Sequence, residues 1–296
     1  MSRPVFVLGT GRCGSTLVHE VVARHPGTGF MTNLDDLGLM PSAPWQNALW
    51  RRLPPGITRK GGTRFAPTEG YRALTREVGP IVVDPVRDLT AADATPWLQD
   101  RTRAFFEDRS RRLGAPVFLH KLTGWPRVGL LRACFPDALF VEIVRDGRAV
   151  ANSWLQMDWW RGHRGPEEWH FGPLATDLQA EWDETGRSFP ALAGIGWRIL
   201  MEAYDAARAQ VPDDQWLRMS YEELVTDPRG RFAEILAALG IEWTPGFEAG
   251  FARYEFSSGR ADAYRRDLSP ADVTAVEAVA GKQLADLGYL AESPGY

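Results

Sequence analysis

The segment Val5-Phe-Val-Leu-Gly-Thr-Gly-Arg-Cys-Gly-Ser-Thr-Leu17 constrains this chain more than any other. It reads as a short apolar strand, a glycine-rich turn and a helix beginning near Gly14. Such a turn aims several backbone N–H groups and a helix N-terminus at one point, which makes an anion site. Against the nucleotide-binding pattern Gly-x-x-x-x-Gly-Lys-Ser/Thr it matches at Gly9, Gly14 and Thr16 but has Ser15 where the lysine belongs. A kinase or NTPase puts that ammonium on the β- and γ-phosphates and the next hydroxyl on Mg²⁺. This turn can hold a phosphate but lacks the usual grip on a triphosphate. Its cation comes earlier, at Arg12.

Composition narrows the partners. A chain of 296 residues with 44% apolar content can build one large α/β domain or two small ones. Its net charge of −4 argues against nucleic-acid binding by bulk electrostatics. The two cysteines, Cys13 and Cys134, make neither a disulfide framework nor a metal cluster. Cys13 lies in the glycine turn, where a helix N-terminus can depress a thiol's pKa; as a small packing residue it needs no chemistry. His163 and His170 have no cysteine nearby, so no metal is expected. No apolar run approaches the ~20 residues of a membrane span, and the sequence enters a strand at once, without room for a secretory signal. A cytoplasmic setting is the expectation.

Strand-like runs recur at Val5–Leu8, Ile81–Val83, Val117–Leu119, Leu139–Val144 and Trp216–Met219. Helical patterns separate most of them. Leu17, Val18, Val21 and Val22 form one stripe; Phe232, Ile235, Leu236 and Leu239 form another, stopped by Gly240. Ser269-Pro270 caps and opens a last helix running to about Leu287. This alternation predicts an α/β fold of three layers, P-loop-like, with a central parallel sheet flanked by helices. Its ligand belongs beyond the C-terminal strand ends. Residues 1–296 read as one domain with two insertions. One, about 40–71, is rich in proline and glycine, with a basic stretch from Arg51 to Arg64. The other, 154–173, packs Trp154, Trp159, Trp160, Trp169 and Phe171 among charges and glycines.

A second strand–turn–helix unit follows at Ala138-Leu-Phe-Val-Glu-Ile-Val-Arg-Asp-Gly-Arg-Ala-Val-Ala-Asn-Ser153. Arg145 ends the strand and offers a planar fork suited to a phosphate; Ser153, eight residues on, can add a hydroxyl. Alternatively, Arg145 simply pairs with Asp146 at a helix start. Taken together, the two units resemble sulfotransferases that use 3′-phosphoadenosine 5′-phosphosulfate (PAPS) and release 3′,5′-bisphosphoadenosine (PAP). In that family a turn of the form Arg/Lys-x-Gly-Ser/Thr-Thr holds the 5′-phosphosulfate, here Arg12-Cys-Gly-Ser-Thr16. A strand-end arginine and a serine eight residues later hold the 3′-phosphate, here Arg145 and Ser153. With His25-Pro26 and Val144-Arg-Asp-Gly-Arg-Ala149, the sequence is most similar to the tyrosylprotein and bacterial branches.

The resemblance implies that Gly11, Arg12, Cys13, Gly14, Ser15 and Thr16 embrace the 5′-phosphosulfate, and that no γ-phosphate lysine or metal is required. Trp216-Leu-Arg-Met-Ser-Tyr-Glu-Glu-Leu-Val-Thr-Asp-Pro228 is similar to the family segment whose tyrosine lies beside adenine, which assigns that place to Tyr221. The stretch Phe256–Ser269 looks like the loop that closes over the nucleotide, with Ser257, Arg260 and Arg265 as contacts. Arg12 would neutralise the departing phosphate, and Lys121 stands where tyrosylprotein-type relatives place a lysine near the sulfuryl group. The general base is the departure: the matching position holds Asn33, which cannot take a proton. Asp35, Asp36 and His120 are the candidates, His120 pointing to the face opposite Lys121 if the strand is regular. The expected acceptor is a hydroxyl on a small molecule, aromatic or lipidic if the tryptophans line its site. Many relatives self-associate, so a homo-oligomer is compatible with the resemblance. The rival readings are a P-loop kinase or NTPase, and a PAP-binding protein without turnover.

Overall fold

The computed structural model describes residues 3–54 and 65–290. Five strands, β1 (Arg3–Leu8), β2 (Thr28–Phe30), β3 (Val117–Lys121), β4 (Leu139–Val144) and β5 (Trp216–Ser220), form one sheet in the order β2-β3-β1-β4-β5. Every pairing is parallel. Parallel strands need crossovers, and the helices that supply them cover both faces, as the strand–helix alternation predicts.

The two-residue period of β1 divides the core. Phe6 and Leu8 join one cluster with Phe106 of the helix Pro96–Leu113, Trp197 of Phe189–Arg208 and Val276 of Pro270–Asp286. Phe6 stacks on Phe140 of the neighbouring strand at 5.9 Å and meets the Phe106 edge at 5.3 Å. Val5 and Val7 join the other cluster with Val18, Val21 and Val22 of α1 (Ser15–Ala23) and Phe232 and Ile235 of Pro228–Ala238. Each such large apolar side chain contributes roughly 1.5–3 kcal/mol by leaving water.

One strand expectation needs correction, and one strand was not expected. Ile81–Val83 is not a strand; it lies in the short helix Pro80–Val83. Pro80 occupies the first turn, where a missing N–H costs nothing, and Arg127 caps the Val82 and Val83 carbonyls from Nε and Nη2 at 2.6 and 2.8 Å. The edge strand β2 has no strong strand residue at its centre. Gly29 sits there because a Cβ would come within 3.1 Å of the Cβ atoms of both Ala115 and Leu113. The last helix starts where expected: Ser269 and Asp272 close a reciprocal capping box. Most of the Arg51–Arg64 stretch lies outside the described residues. Of its described part, Arg51 donates from Nε to the Ala23 carbonyl at 3.0 Å and from Nη2 to that of Thr28, which fastens the helix Pro44–Arg52 to the sheet edge.

Candidate active site

The C-terminal ends of β1, β3, β4 and β5 converge on the glycine turn. In that turn Gly11, Arg12 and Gly14 all have left-handed backbones, at φ 80°, 59° and 98°. Gly14 has no alternative: a Cβ would lie 2.5 Å from Cδ2 of Tyr221, whose ring presses on the turn. The Cys13 thiol packs under Gly9, fully buried in the core cluster. α1 begins at Ser15 with no side-chain cap and no acid in its first turn, so its leading N–H groups remain available to an anion.

Arg12 is the one non-glycine residue of the turn with a left-handed backbone. That geometry costs an L-residue roughly 1–2 kcal/mol and directs its carbonyl to Nη1 of Arg145, which donates at 2.9 Å. The Arg12 side chain donates from Nε to Ser153 Oγ, also at 2.9 Å. Arg145, at the end of β4, donates from Nη2 to the Arg260 carbonyl and lies over the Tyr221 ring at 4.6 Å. Its buried Nε has no hydrogen-bond partner. Asp146 does not pair with Arg145; it caps the helix Gly147–Leu155 and holds Arg148 in a salt bridge at 2.8 Å. Burial, then the charges of Arg145 and Arg260, lower the pKa of Arg12. Among the described residues no carboxylate lies within 4 Å of these three guanidiniums. Cations gathered without counter-charge make a site that waits for an anion.

The closing loop is only partly drawn in. Arg260 reaches the cluster through its carbonyl. Ser257 is exposed and caps a short turn, its Oγ accepting from the Gly259 N–H. Arg265 sits 3.6 Å from Asp262 and over the Tyr264 ring at 5.2 Å. No contact among the described residues ties Ser257 or Arg265 to Arg12 or Arg145.

A second group assembles beside Thr16. Lys121, at the end of β3 and 4% exposed, donates from Nζ to Thr16 Oγ1 at 2.7 Å and pairs with Glu69 Oε1 at 2.7 Å. These residues line a small polar cavity of about 190 Å³ together with Asn33, Ala66, Pro67 and Thr68. Asn33 accepts a hydrogen bond from the Ala66 N–H on its side-chain oxygen at 3.0 Å and donates its own N–H to the Ala66 carbonyl at 3.2 Å. Thr68 N–H donates to the Met31 carbonyl at 3.1 Å.

None of the three sequence candidates for the base reaches this cavity. Asp35 is buried, both its oxygens taken by Arg109 at 3.0 Å and one also by the Ser42 hydroxyl at 2.6 Å. Asp36 accepts from the Ala73 N–H at 2.9 Å. His120 faces away from Lys121, packed at 5.0 Å from Phe106 and 6.3 Å from Phe118. Burial, then the charge of Arg109, pushes its pKa down to about 3, so the ring is neutral. The acid that does line the cavity, Glu69, escaped the sequence reading. It lies at the close of the Pro/Gly-rich insertion, and no spacing from the glycine turn predicts where that segment returns. The tryptophan-rich segment mostly feeds the core. Trp154 stacks on Phe171 at 5.1 Å, Trp169 meets Phe171 edge-on and Trp160 is buried. Trp159 is 41% exposed. Among the described residues no group of His, Cys, Asp or Glu could hold a metal ion, and no helix is long and apolar enough to cross a membrane.

Comparisons with known proteins bear on the fold and the family. Sulfotransferase STF9 from Mycobacterium avium is 21% identical, with 99% of this chain and 79% of that one aligned at a TM-score of 0.58. Sulfotransferase STF1 from Mycobacterium tuberculosis is 18% identical, with 95% and 77% aligned at 0.56. The sulfotransferase domain of the Synechococcus olefin synthase is 19% identical, with 93% and 94% aligned at 0.53. At such identities these likenesses speak for the fold. No curated protein matches the sequence. The profile of the Sulfotransferase family matches residues 4–245, and the chain belongs to that family.

Proposed function

We propose that this sulfotransferase takes its sulfuryl group from PAPS and passes it to a hydroxyl of a small molecule. The observation that carries the reading is the cationic cluster of Arg12, Arg145 and Arg260, which has no carboxylate within 4 Å among the described residues, next to a glycine turn and a bare helix N-terminus. The donor's chemistry suits these residues. The buried, unpartnered Nε of Arg145 can serve a 3′-phosphate, with Ser153 nearby. The resemblance gives adenine a place beside Tyr221, whose ring presses on Gly14 and lies under Arg145. The first-turn N–H groups of α1 and the Ser15 and Thr16 hydroxyls suit a 5′-phosphate. The donor supplies an activated sulfuryl group on a phosphate leaving group. Arg12 supplies positive charge to the leaving oxygen and Lys121 to the sulfuryl group, so no metal is invoked. Ser257 and Arg265 would join only if their loop closes.

We read residues 1–296 as one domain whose segments 40–71 and 154–173 wall the acceptor side. The bridge of Thr32 with Pro67, beside the Asn33–Lys121 cavity, supports that view for the first segment, and the core stack of Trp154 and Phe171 supports a single domain. Two buried, unpaired cysteines are consistent with a cytoplasmic, reducing setting, and a bacterial origin is consistent with the bacterial structures it resembles.

Titration calorimetry tests the reading. PAP should bind at least tenfold more tightly than AMP, which lacks the 3′-phosphate, and ATP with Mg²⁺ should bind no better than AMP. Equal affinity for PAP and AMP would sink the donor assignment. Tight PAP binding with no label transferred from ³⁵S-PAPS to any hydroxyl or to water would leave a nucleotide binder without turnover.

A further inference from the structure

We propose that Glu69 is the proton acceptor for the attacking hydroxyl, a role sequence reasoning gave to Asp35, Asp36 or His120; the proposal rests on the donor assignment above. Its first support is position. One ion pair of 2.7 Å and one hydrogen bond of 2.7 Å, both made by Lys121 Nζ, link the Glu69 carboxylate to Thr16 in the first turn of α1. The carboxylate is thus one ammonium away from the N–H groups that suit the 5′ end of the donor.

The second support is elimination within the cavity. Of its lining residues Thr16, Asn33, Ala66, Pro67, Thr68, Glu69 and Lys121, only Glu69 can take a proton at neutral pH. Its side chain is 28% exposed, and no hydrogen bond from the described residues engages Oε2. Asp35 and Asp36 are bound to structural partners, and the His120 ring packs on Phe106 and against the Glu69–Gly70 backbone, outside the cavity lining.

The third support is a fixed backbone. The Asn33 and Met31 backbones hold Ala66 and Thr68, and Gly70 takes a left-handed turn that a Cβ would block at 2.7 Å from Met31 Sδ. Asn33 therefore acts as a clamp on the segment that brings in a carboxylate. The charged and titratable groups beside Glu69 are Lys121 on β3, Tyr71 after the turn, and His120, whose ring lies against the backbone of Glu69 and Gly70. Burial and the Glu69 charge raise the Tyr71 pKa, so its hydroxyl stays protonated on Thr123 Oγ1 at 2.9 Å.

The step balances. The acceptor O–H bond breaks and Glu69 takes the proton. The acceptor oxygen forms its bond to sulfur as the bond from sulfur to the bridging oxygen breaks, and that electron pair stays on the departing phosphate beside Arg12. Glu69 then returns its proton to water. Lys121 neutralises Glu69 in the resting site and is placed to serve the sulfuryl oxygens instead.

The test compares wild type with Glu69→Gln and Glu69→Asp, using ³⁵S-PAPS with water, benzyl alcohol and 4-nitrophenol as acceptors, and calorimetry with PAP. Glu69→Gln should lose about 10²–10⁴-fold in transfer to water and to the alcohol, the range for a general base. It should lose under tenfold with the phenol, which ionises unaided near neutral pH. PAP affinity should stay within threefold or rise, since a negative charge near an anion site is gone; Glu69→Asp should recover part of the rate. Glu69→Gln within tenfold of wild type for water overturns the assignment. So does a fall in PAP affinity that matches the fall in rate, which would mark Glu69 as structural. A wild type that binds no PAP refutes the donor reading itself.

Discussion

Replacing Arg145 with alanine separates recognition of the ribose phosphate from everything else the glycine turn does. Arg145 carries five N–H groups. One donates to the Arg12 carbonyl at 2.9 Å and one to the Arg260 carbonyl, which leaves three, including the unpartnered Nε. A hydrogen bond to a charged group is worth about 1.5–3 kcal/mol. Three remaining donors in one plane can give a phosphate one or two good bonds. Relief of the repulsion from Arg12 and Arg260 offsets part of that in the variant. A net loss of about 2–4 kcal/mol corresponds to a PAP affinity weakened about 30- to 700-fold. AMP has nothing for Arg145 to hold, so its affinity should move less than threefold. Calorimetry with both nucleotides on both proteins reads this as collapse of the PAP-over-AMP preference. Equal weakening of PAP and AMP would refute the reasoning: Arg145 would then act only by holding the Arg12 carbonyl and the shape of the turn.

Two further substitutions test the buried groups that the site does not use. Asp35→Asn should lower unfolding stability by about 3 kcal/mol, the low end for a broken buried pair, because Glu77 still holds Arg109 at 2.9 Å; transfer per folded molecule should stay unchanged, and a 100-fold fall would restore Asp35 as a base. His120 has a folded pKa of about 3 against 6.5 unfolded, so the unfolded chain binds the proton first and stability drains away as pH falls from about 6.5 toward 3, at about 1.4 kcal/mol per unit. Urea midpoints at pH 7.5, 5.5 and 4.5 should show His120→Leu losing less than wild type over that window, with transfer at pH 7.5 preserved; parallel curves would contradict the burial argument.

Much of the fold was legible because its signals are local. The apolar runs of β1, β3, β4 and β5 need no partner to be recognised, and Ser269-Pro270 announces its helix. Ile81–Val83 misled because three β-branched or apolar residues after a proline fit a helical turn as well as a strand, and Arg127, far along the chain, decides between them. Gly29 hid β2 because its value lies in the room it leaves for Leu113 and Ala115. The same division holds at the site. Arg12, Thr16 and Arg145 sit at fixed offsets from glycine turns, so the motif locates them. Glu69 arrives from an insertion whose path is set by backbone bonds to Met31 and Asn33. Spacing along the sequence cannot encode such a return.

Arg12 exposes what the site demands of the fold. Its backbone is held at φ 59°, a region where an L-residue is strained by roughly 1–2 kcal/mol, while its guanidinium shares a small space with two others. Glycine suits that conformation, at a penalty of about 0.5–1 kcal/mol for greater freedom in the unfolded chain. Alanine keeps the strain and loses the same side chain. Arg12→Gly and Arg12→Ala therefore remove the same bond to Ser153 and the same charge, and differ only in the turn. Arg12→Gly should be the more stable of the two by about 1 kcal/mol in urea unfolding, and should match or exceed wild type at low salt, where loss of the repulsion counts most. Both should lose about 10²–10³-fold in transfer. If the two variants unfold together, the left-handed arginine is not strained. If either keeps the wild-type rate, the residue is there for the turn and not for the departing phosphate. A gain in stability together with that loss of rate is the pattern of a site in which function holds the fold below its optimum.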